Sequence, residues 1–163
     1  MKNICTLEEF LSFLKVSCGF GFDTDKHCFG DRIKLQKYVY MAMRMGLEPK
    51  EQLDYSMYIR GPYSSDLADI YFNQESWRRP LFDRDGFDAH KFISTVGYRD
   101  TRWLEVACSI LYIYRDSLAR YTELTDVEAV YEELRLLKDF TKNEVSDVYI
   151  ELREKGLLVL ISN

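Results

Sequence analysis

Cys18, His27, Cys28 and His90 are the side chains that a metal site in this chain would need. Zinc ligands must converge tetrahedrally, and short fixed spacings normally arrange that. Here the spacing is loose and the one adjacent pair is His27-Cys28, two neighbours that seldom ligate the same ion. Cys28 with His27, or with His90, could instead form a nucleophile–base pair, since a thiolate needs a base or a positive neighbour. Asp66 and Asp69, three residues apart, could serve general acid–base chemistry or magnesium if they met in a cleft. Each has a plainer reading: buried structural cysteines, a loop histidine, and acidic residues that offset a helix dipole. Glu132 and Glu133 read as a solvated helix face. Gly19-Phe-Gly21 lacks the Lys-Ser/Thr ending of a phosphate loop and the third glycine of a dinucleotide loop. The sequence therefore implies no cofactor and no metal. An enzyme using Cys28/His27 or Asp66/Asp69 stands as the rival to a non-catalytic protein.

Two other groups of residues suit binding. Lys34, Lys37 and Arg44 fall at i, i+3 and i+10, close to one helical face, with Gln36 beside them. Such a face could lie on DNA, or could simply be the solvated side of a core helix. Tyr55, Tyr58, Tyr63, Tyr71, Phe72 and Trp77 surround Ile59-Arg60-Gly61-Pro62. Tyrosine and arginine dominate the centres of protein interfaces because each joins a large contact area to a polar handle. The alternative is that these rings pack the Gly-Pro turn onto the helix before it.

These residues must be positioned by local elements, and the signals for those are clear. Thr6 to Glu9 is a capping box, followed by Leu7, Phe10, Leu11 and Leu14 at helical spacing. Gly19 to Asp25 reads as a loop, and a second helix is predicted from about Asp31 to Met45, stopped by Gly46. Over 54–60, alternating residues predict a short strand or hairpin, ended by Gly61-Pro62. Ser64 or Ser65 caps a short helix, residues 74–86 look irregular, and another helix spans Asp88 to Thr95. Trp103 to Tyr114 is the most apolar segment and predicts a helix buried on most sides. Capping boxes at Thr125–Glu128 and Thr141–Glu144 open two more helices, the last ended by Gly156 and followed by a tail or strand over 157–161.

No repeat or flexible linker divides the chain, so the expectation is one mainly helical domain over 1–163. Its C-terminal part, 100–163, should be a helix bundle or winged-helix-like. In the latter case the helix after Thr141 would be the reader, but Asp147, Glu151 and Glu154 on its exposed side would repel phosphates, which points to protein contact.

With 163 residues, 47% apolar and 15% aromatic, the chain can bury a substantial core and is not of the disordered class. Its net charge of −5 argues against binding nucleic acid chiefly by neutralising phosphate. The charge is uneven: residues 30–46 carry +3 and 121–163 carry −5. Any anionic partner would meet the middle of the chain. Four cysteines without a CxxC pair, no leader-like opening (Glu8 and Glu9 interrupt it) and no long uncharged apolar run suggest a cytoplasmic protein without a membrane span.

Three stretches carry a family resemblance: Lys34-Leu-Gln-Lys37-Tyr-Val-Tyr40, Tyr58-Ile-Arg-Gly-Pro-Tyr-Ser64 with Leu67-Ala68, and Trp103-Leu-Glu-Val106 with the Glu151-Leu-Arg-Glu-Lys-Gly-Leu157 ending. From about residue 31 onward the chain resembles the YwgA-like proteins of archaea and bacteria. More remotely, through the Lys-Leu-Gln-Lys helix and a following Gly-Pro, it is similar to the Panacea antitoxin domain. The first resemblance implies an intracellular helical protein of regulatory type with no established catalytic residues. The second implies a protein partner such as a toxin, although Tyr63-Ser64 after the Gly-Pro departs from the usual Panacea pattern.

The expectation is thus a regulatory, non-catalytic module that binds a macromolecule. Its binding residues are Lys34, Lys37, Arg44, Tyr58, Arg60, Gly61, Pro62 and Tyr63. A protein partner or self-association comes first and DNA second.

Overall fold

The computed structural model describes residues 6–17, 29–72, 87–119 and 127–158. Thr6 opens α1 (Leu7–Ser12) with a complete capping box: its side chain accepts from the Glu9 N–H, and the Glu9 carboxylate accepts from the Thr6 N–H. The helix runs on into a π-turn over Phe13–Ser17. Leu7, Phe10, Leu11 and Leu14 are all fully buried, as their spacing requires. α2 spans Phe29–Arg44 and closes at Gly46, whose φ of 106° lies where a side chain is disfavoured.

The extended segment is a hairpin, and its centre lies further along the chain than predicted. β1 (Ser56–Tyr58) pairs antiparallel with β2 (Gly61–Tyr63), with Tyr58 opposite Gly61. Ile59 and Arg60, expected within a strand, form the turn. Gly61-Pro62, expected to end the strand, instead begins its partner. Gly61 has φ 90°, the left-handed position that lets a tight turn close into a strand. Pro62 is tolerated because a two-stranded ribbon leaves one edge of β2 without a ladder partner.

α3 (Ser65–Phe72) follows, its Leu67 N–H capped by the Ser64 hydroxyl at 3.3 Å. α4 (Ala89–Val96) is capped by Asp88. α5 (Thr101–Ala119) is the axis of the fold: every residue from Leu104 to Leu111 is buried, and α2, β2, α6 and α7 pack around it. α6 (Val127–Arg135) and α7 (Lys142–Glu154) complete the set. Among the described residues the architecture is therefore seven α-helices and one small antiparallel ribbon. One continuous buried cluster runs from Leu7 in α1 to Leu152 in α7. No described helix is long and apolar enough to cross a membrane. Thr125 and the tail over 159–163 lie outside the described residues, and so does most of the expected C-terminal strand.

The start of α7 shows how these elements are tied. Thr141 and Glu144 form the second capping box, and Arg102 of α5 reaches across to grip both Glu144 carboxylate oxygens at 2.8 and 3.0 Å. This guanidinium, with help from the Thr141 N–H, pulls the Glu144 carboxyl down to about 2. A carboxyl depressed in the fold adds stability that is present above its ordinary value near 4.5 and lost as pH falls toward 2. We expect Glu144→Gln to cost about 1 kcal/mol at pH 7, since cap and ion pair are both near the surface. Denaturant titrations should show the cost shrinking between pH 4.5 and pH 2.5. An equal cost at both ends would refute the assignment.

Candidate functional site

Helical geometry places Phe29, Arg32, Ile33, Gln36 and Lys37 on one side of α2, at i, i+3, i+4, i+7 and i+8. This side faces the hairpin. Between them lies a cleft of about 420 Å³, walled opposite α2 by Tyr58, Ile59, Arg60 and Tyr63 and lined also by Tyr71 of α3.

The two familiar motifs meet here through hydrogen bonds. Gln36 acts as a peptide mimic: its amide nitrogen donates to the Ser64 carbonyl at 2.8 Å, while its oxygen accepts from the Ser64 N–H at 3.0 Å. Next to it, Lys37 Nζ donates to the Pro62 carbonyl at 2.6 Å. One helical segment thereby fixes both the hairpin and the start of α3. Gly61 supplies the room: a Cβ there would lie 3.3 Å from both Cε and Nζ of Lys37.

Lys37 is the main correction to the predicted basic stripe. It is only 2% exposed, so it is no part of a solvated face. Desolvation pushes its amine down to about 8, against the opposing influence of Cys108 and Glu105, with Lys138 adding to the depression. Lys34 is half-buried, one step around the helix. Arg44 lies seven residues beyond Lys37, roughly 10 Å along the axis at 1.5 Å per residue, and lines a different cavity. The physical reason is that α2 is covered on two sides, by the hairpin and by α5, so a cation pointing inward can be satisfied by a carbonyl.

Tyr58, Arg60, Gly61 and Tyr63 do line the cleft, as does Lys37; Pro62 contributes its carbonyl. Tyr71, one of the rings expected around the Gly-Pro turn, lines it too, whereas Phe29, Arg32 and Ile33 are lining residues that local sequence signals do not single out. Their signal was the stripe 29, 32, 33, 36, 37, visible only once its side of α2 is known to border a hairpin rather than the core.

The cleft is apolar in its walls and positive in its polar groups. Phe29 and Tyr58 are each 56% exposed, and Ile59 stands 91% exposed at the hairpin tip. Arg60 and Arg32 lie over the Phe29 ring at 5.3 and 5.7 Å. Arg60 keeps half of its side chain in solvent and meets Glu105 only at 3.5 Å, the edge of an ion pair. Tyr58 and Tyr63 stack obliquely at 5.2 Å. Within the cleft, the Tyr71 hydroxyl is hydrogen-bonded to Gln36 and Tyr63, and burial pushes its pKa up.

The catalytic candidates do not assemble among the described residues. Asp66 accepts from the Asp54 N–H at 3.2 Å, and both Asp66 and Asp69 are exposed on α3. Cys28, His27, Cys18 and Trp77 lie outside the described residues. Cys108 is fully buried, donates to the Lys37 carbonyl at 3.6 Å, and has its thiol pushed up to about 12 by burial, so it is not a nucleophile at neutral pH. No group of three metal-ligating side chains occurs among the described residues.

No protein-family model matches the chain, and no curated protein or solved structure matches it either.

Proposed function

We propose that this chain is a non-catalytic, regulatory binding module whose working surface is the cleft between α2 and the hairpin. Its partner is a protein that presents an apolar segment flanked by acidic residues. One observation carries this reading: the cleft combines three cations, Arg32, Lys37 and Arg60, with exposed Phe29, Tyr58 and Ile59, and no carboxylate is among the described residues that line it. An apolar segment would cover the rings, and its acids would meet Arg60, which keeps half of its side chain in solvent and holds Glu105 only at 3.5 Å.

The proposal extends to kinship with the YwgA-like proteins, whose two resembling motifs form the opposite walls of this cleft. It also assigns the helix pair α6–α7, in a winged-helix-like arrangement, to protein contact. Asp147 and Glu154 are exposed on α7, while Lys142 there is already paired with Glu128. DNA is the weaker partner for the same reason.

The test is site-specific cross-linking from position 58, followed by affinity measurement with the captured segment. Arg60→Ala should weaken that segment at least tenfold while moving the melting temperature by no more than ~2 °C, since the side chain is half-exposed. Ile59→Asp should do the same by setting a like charge against the partner's acids. A duplex-DNA shift that weakens steeply with salt and ignores Ile59→Asp would replace this reading with a nucleic-acid one.

A further inference from the structure

A second cavity, of about 380 Å³, lies at the other end of α2. Tyr40 and Arg44 of α2 and Tyr112 and Arg115 of α5 line it, with Tyr55 and Asp54 from the segment before the hairpin. Its polar groups are unfinished. The hydroxyls of Tyr40 and Tyr55 and the Nε of Arg44 are shielded from water and have no hydrogen-bond partner. Tyr40 is 3% exposed, so its hydroxyl is a buried donor without an acceptor. Arg44 and Arg115 repel each other, and among the described residues no carboxylate forms an ion pair with either. Asp54 lines the same cavity without reaching them.

A protein-only account of this arrangement is incomplete. A cation in the last turn of a helix compensates the dipole, which accounts for Arg44 at the end of α2 but not for Arg115, which precedes the last turn of α5. It does not explain two stranded phenols beside them, nor two like charges facing one cavity. Burial raises the pKa of both phenols, so they remain donors at neutral pH. The site thus holds two guanidiniums and two hydroxyls, all donors, and a surplus of positive charge. With Asp54 counted against the two guanidiniums the surplus is one positive charge, and an acceptor with several oxygens and one to two negative charges would satisfy it. A phosphoryl group has three such oxygens, whereas a carboxylate has two oxygens and one charge. Apart from Asp54, the rest of the lining is apolar or aromatic, including Met43, Leu53 and Tyr112. The volume is in the range of small-molecule sites, roughly 300 to 1,000 Å³.

We infer that this cavity binds a small organic phosphate monoester. Arg44, Arg115 and the hydroxyls of Tyr40 and Tyr55 take the phosphoryl group, and the body of the ligand lies against Tyr112, Met43 and Leu53. The site is separate from the cleft at the hairpin and does not depend on the function proposed for it.

The test is calorimetric titration of the full chain with phenyl phosphate at fixed ionic strength, alongside inorganic phosphate and benzoate. Saturable one-to-one binding of phenyl phosphate is expected, at least fivefold tighter than either control. Arg115→Gln, an exposed change that should leave folding intact, should weaken it at least tenfold. Tyr40→Phe should weaken it several-fold, and Ile59→Asp should leave it unchanged. The inference is overturned by no saturable binding at millimolar phenyl phosphate, by inorganic phosphate or benzoate binding as tightly, or by an affinity that ignores Arg115→Gln.

Discussion

Gly61→Val should lower stability by about 3 kcal/mol or more, the largest single-residue effect expected at the cleft. Two independent terms add. The backbone at this position has φ 90°, a region where a β-branched residue is strained by about 1–2 kcal/mol. The new Cβ would also lie 3.0 Å from Ser109 Oγ and 3.3 Å from Cε and Nζ of Lys37. Ser109 is on α5 and fully buried, so it cannot withdraw, and crowding of this kind costs about 1–3 kcal/mol. Relief would come from displacing Lys37 and breaking its bond to the Pro62 carbonyl, which adds to the damage. For a chain of this size the loss corresponds to a melting point lower by roughly 6–12 °C. Gly61→Ala should lie between wild type and Gly61→Val, because it keeps the strain but adds less bulk. Arg60→Ala, one residue away, should be nearly silent in the same melts. Should Arg60→Ala prove the more damaging of the two, the account of the turn is wrong.

The second large effect is a dependence of stability on pH that Lys37 carries. Its amine is depressed to about 8 in the fold and returns to its ordinary value near 10.5 on unfolding. Between those values the unfolded state binds more protons, so stability rises with pH in that window. Below pH 8 the buried ammonium is a burden; above 10.5 both states are neutral and the burden is gone. The full swing is of order 3 kcal/mol, with a slope approaching about 1.4 kcal/mol per pH unit. Other groups bend the observed curve. Cys108, held protonated by burial, opposes the rise above its ordinary value near 9, and Tyr40 and Tyr55 oppose it above 10. Lys138 adds a rise of its own. The clean measurement is therefore the difference between wild type and Lys37→Met across pH 7 to 10.5, in which those groups largely cancel. Wild type should gain on the variant throughout that window. At pH 7 the variant should be near wild type, because the orphaned Pro62 carbonyl costs about 1–3 kcal/mol while the buried charge is removed. Parallel curves would mean that Lys37 is hydrated in the native state.

Both effects arise at a junction that the sequence showed only in fragments. Lys34-Leu-Gln-Lys37 and Tyr58 to Ser64 stood out as motifs, yet nothing local says that Gln36 pairs with Ser64 or that Lys37 reaches Pro62, partners 28 and 25 residues away. Spacing puts Lys34, Lys37 and Arg44 close to one helix face, which predicts a solvated stripe on the assumption that cations face water. That assumption fails where a neighbouring strand offers a carbonyl. The hairpin lies further along the chain than local signals predict for a related reason: Gly-Pro commonly ends an element, and only the φ of Gly61 and the Tyr58–Gly61 pairing show that it starts one here. The second cavity was invisible, since Arg44 and Arg115 are 71 positions apart and meet only because α2 packs on α5.

By itself the sequence determined the helices. Capping boxes at Thr6 and Thr141 and the stripe of α1 act within one or two turns, where neighbours in the chain are neighbours in space and the free energy is local. It also determined that α5 would be buried, because nothing but other helices could cover so apolar a segment. Which faces would enclose a cleft, which cations would lose their water and which tyrosines would be left without acceptors depended on how α2, α5 and the hairpin came together. Desolvation and hydrogen bonding at those points are properties of the enclosing volume, and that volume exists only after the chain has folded.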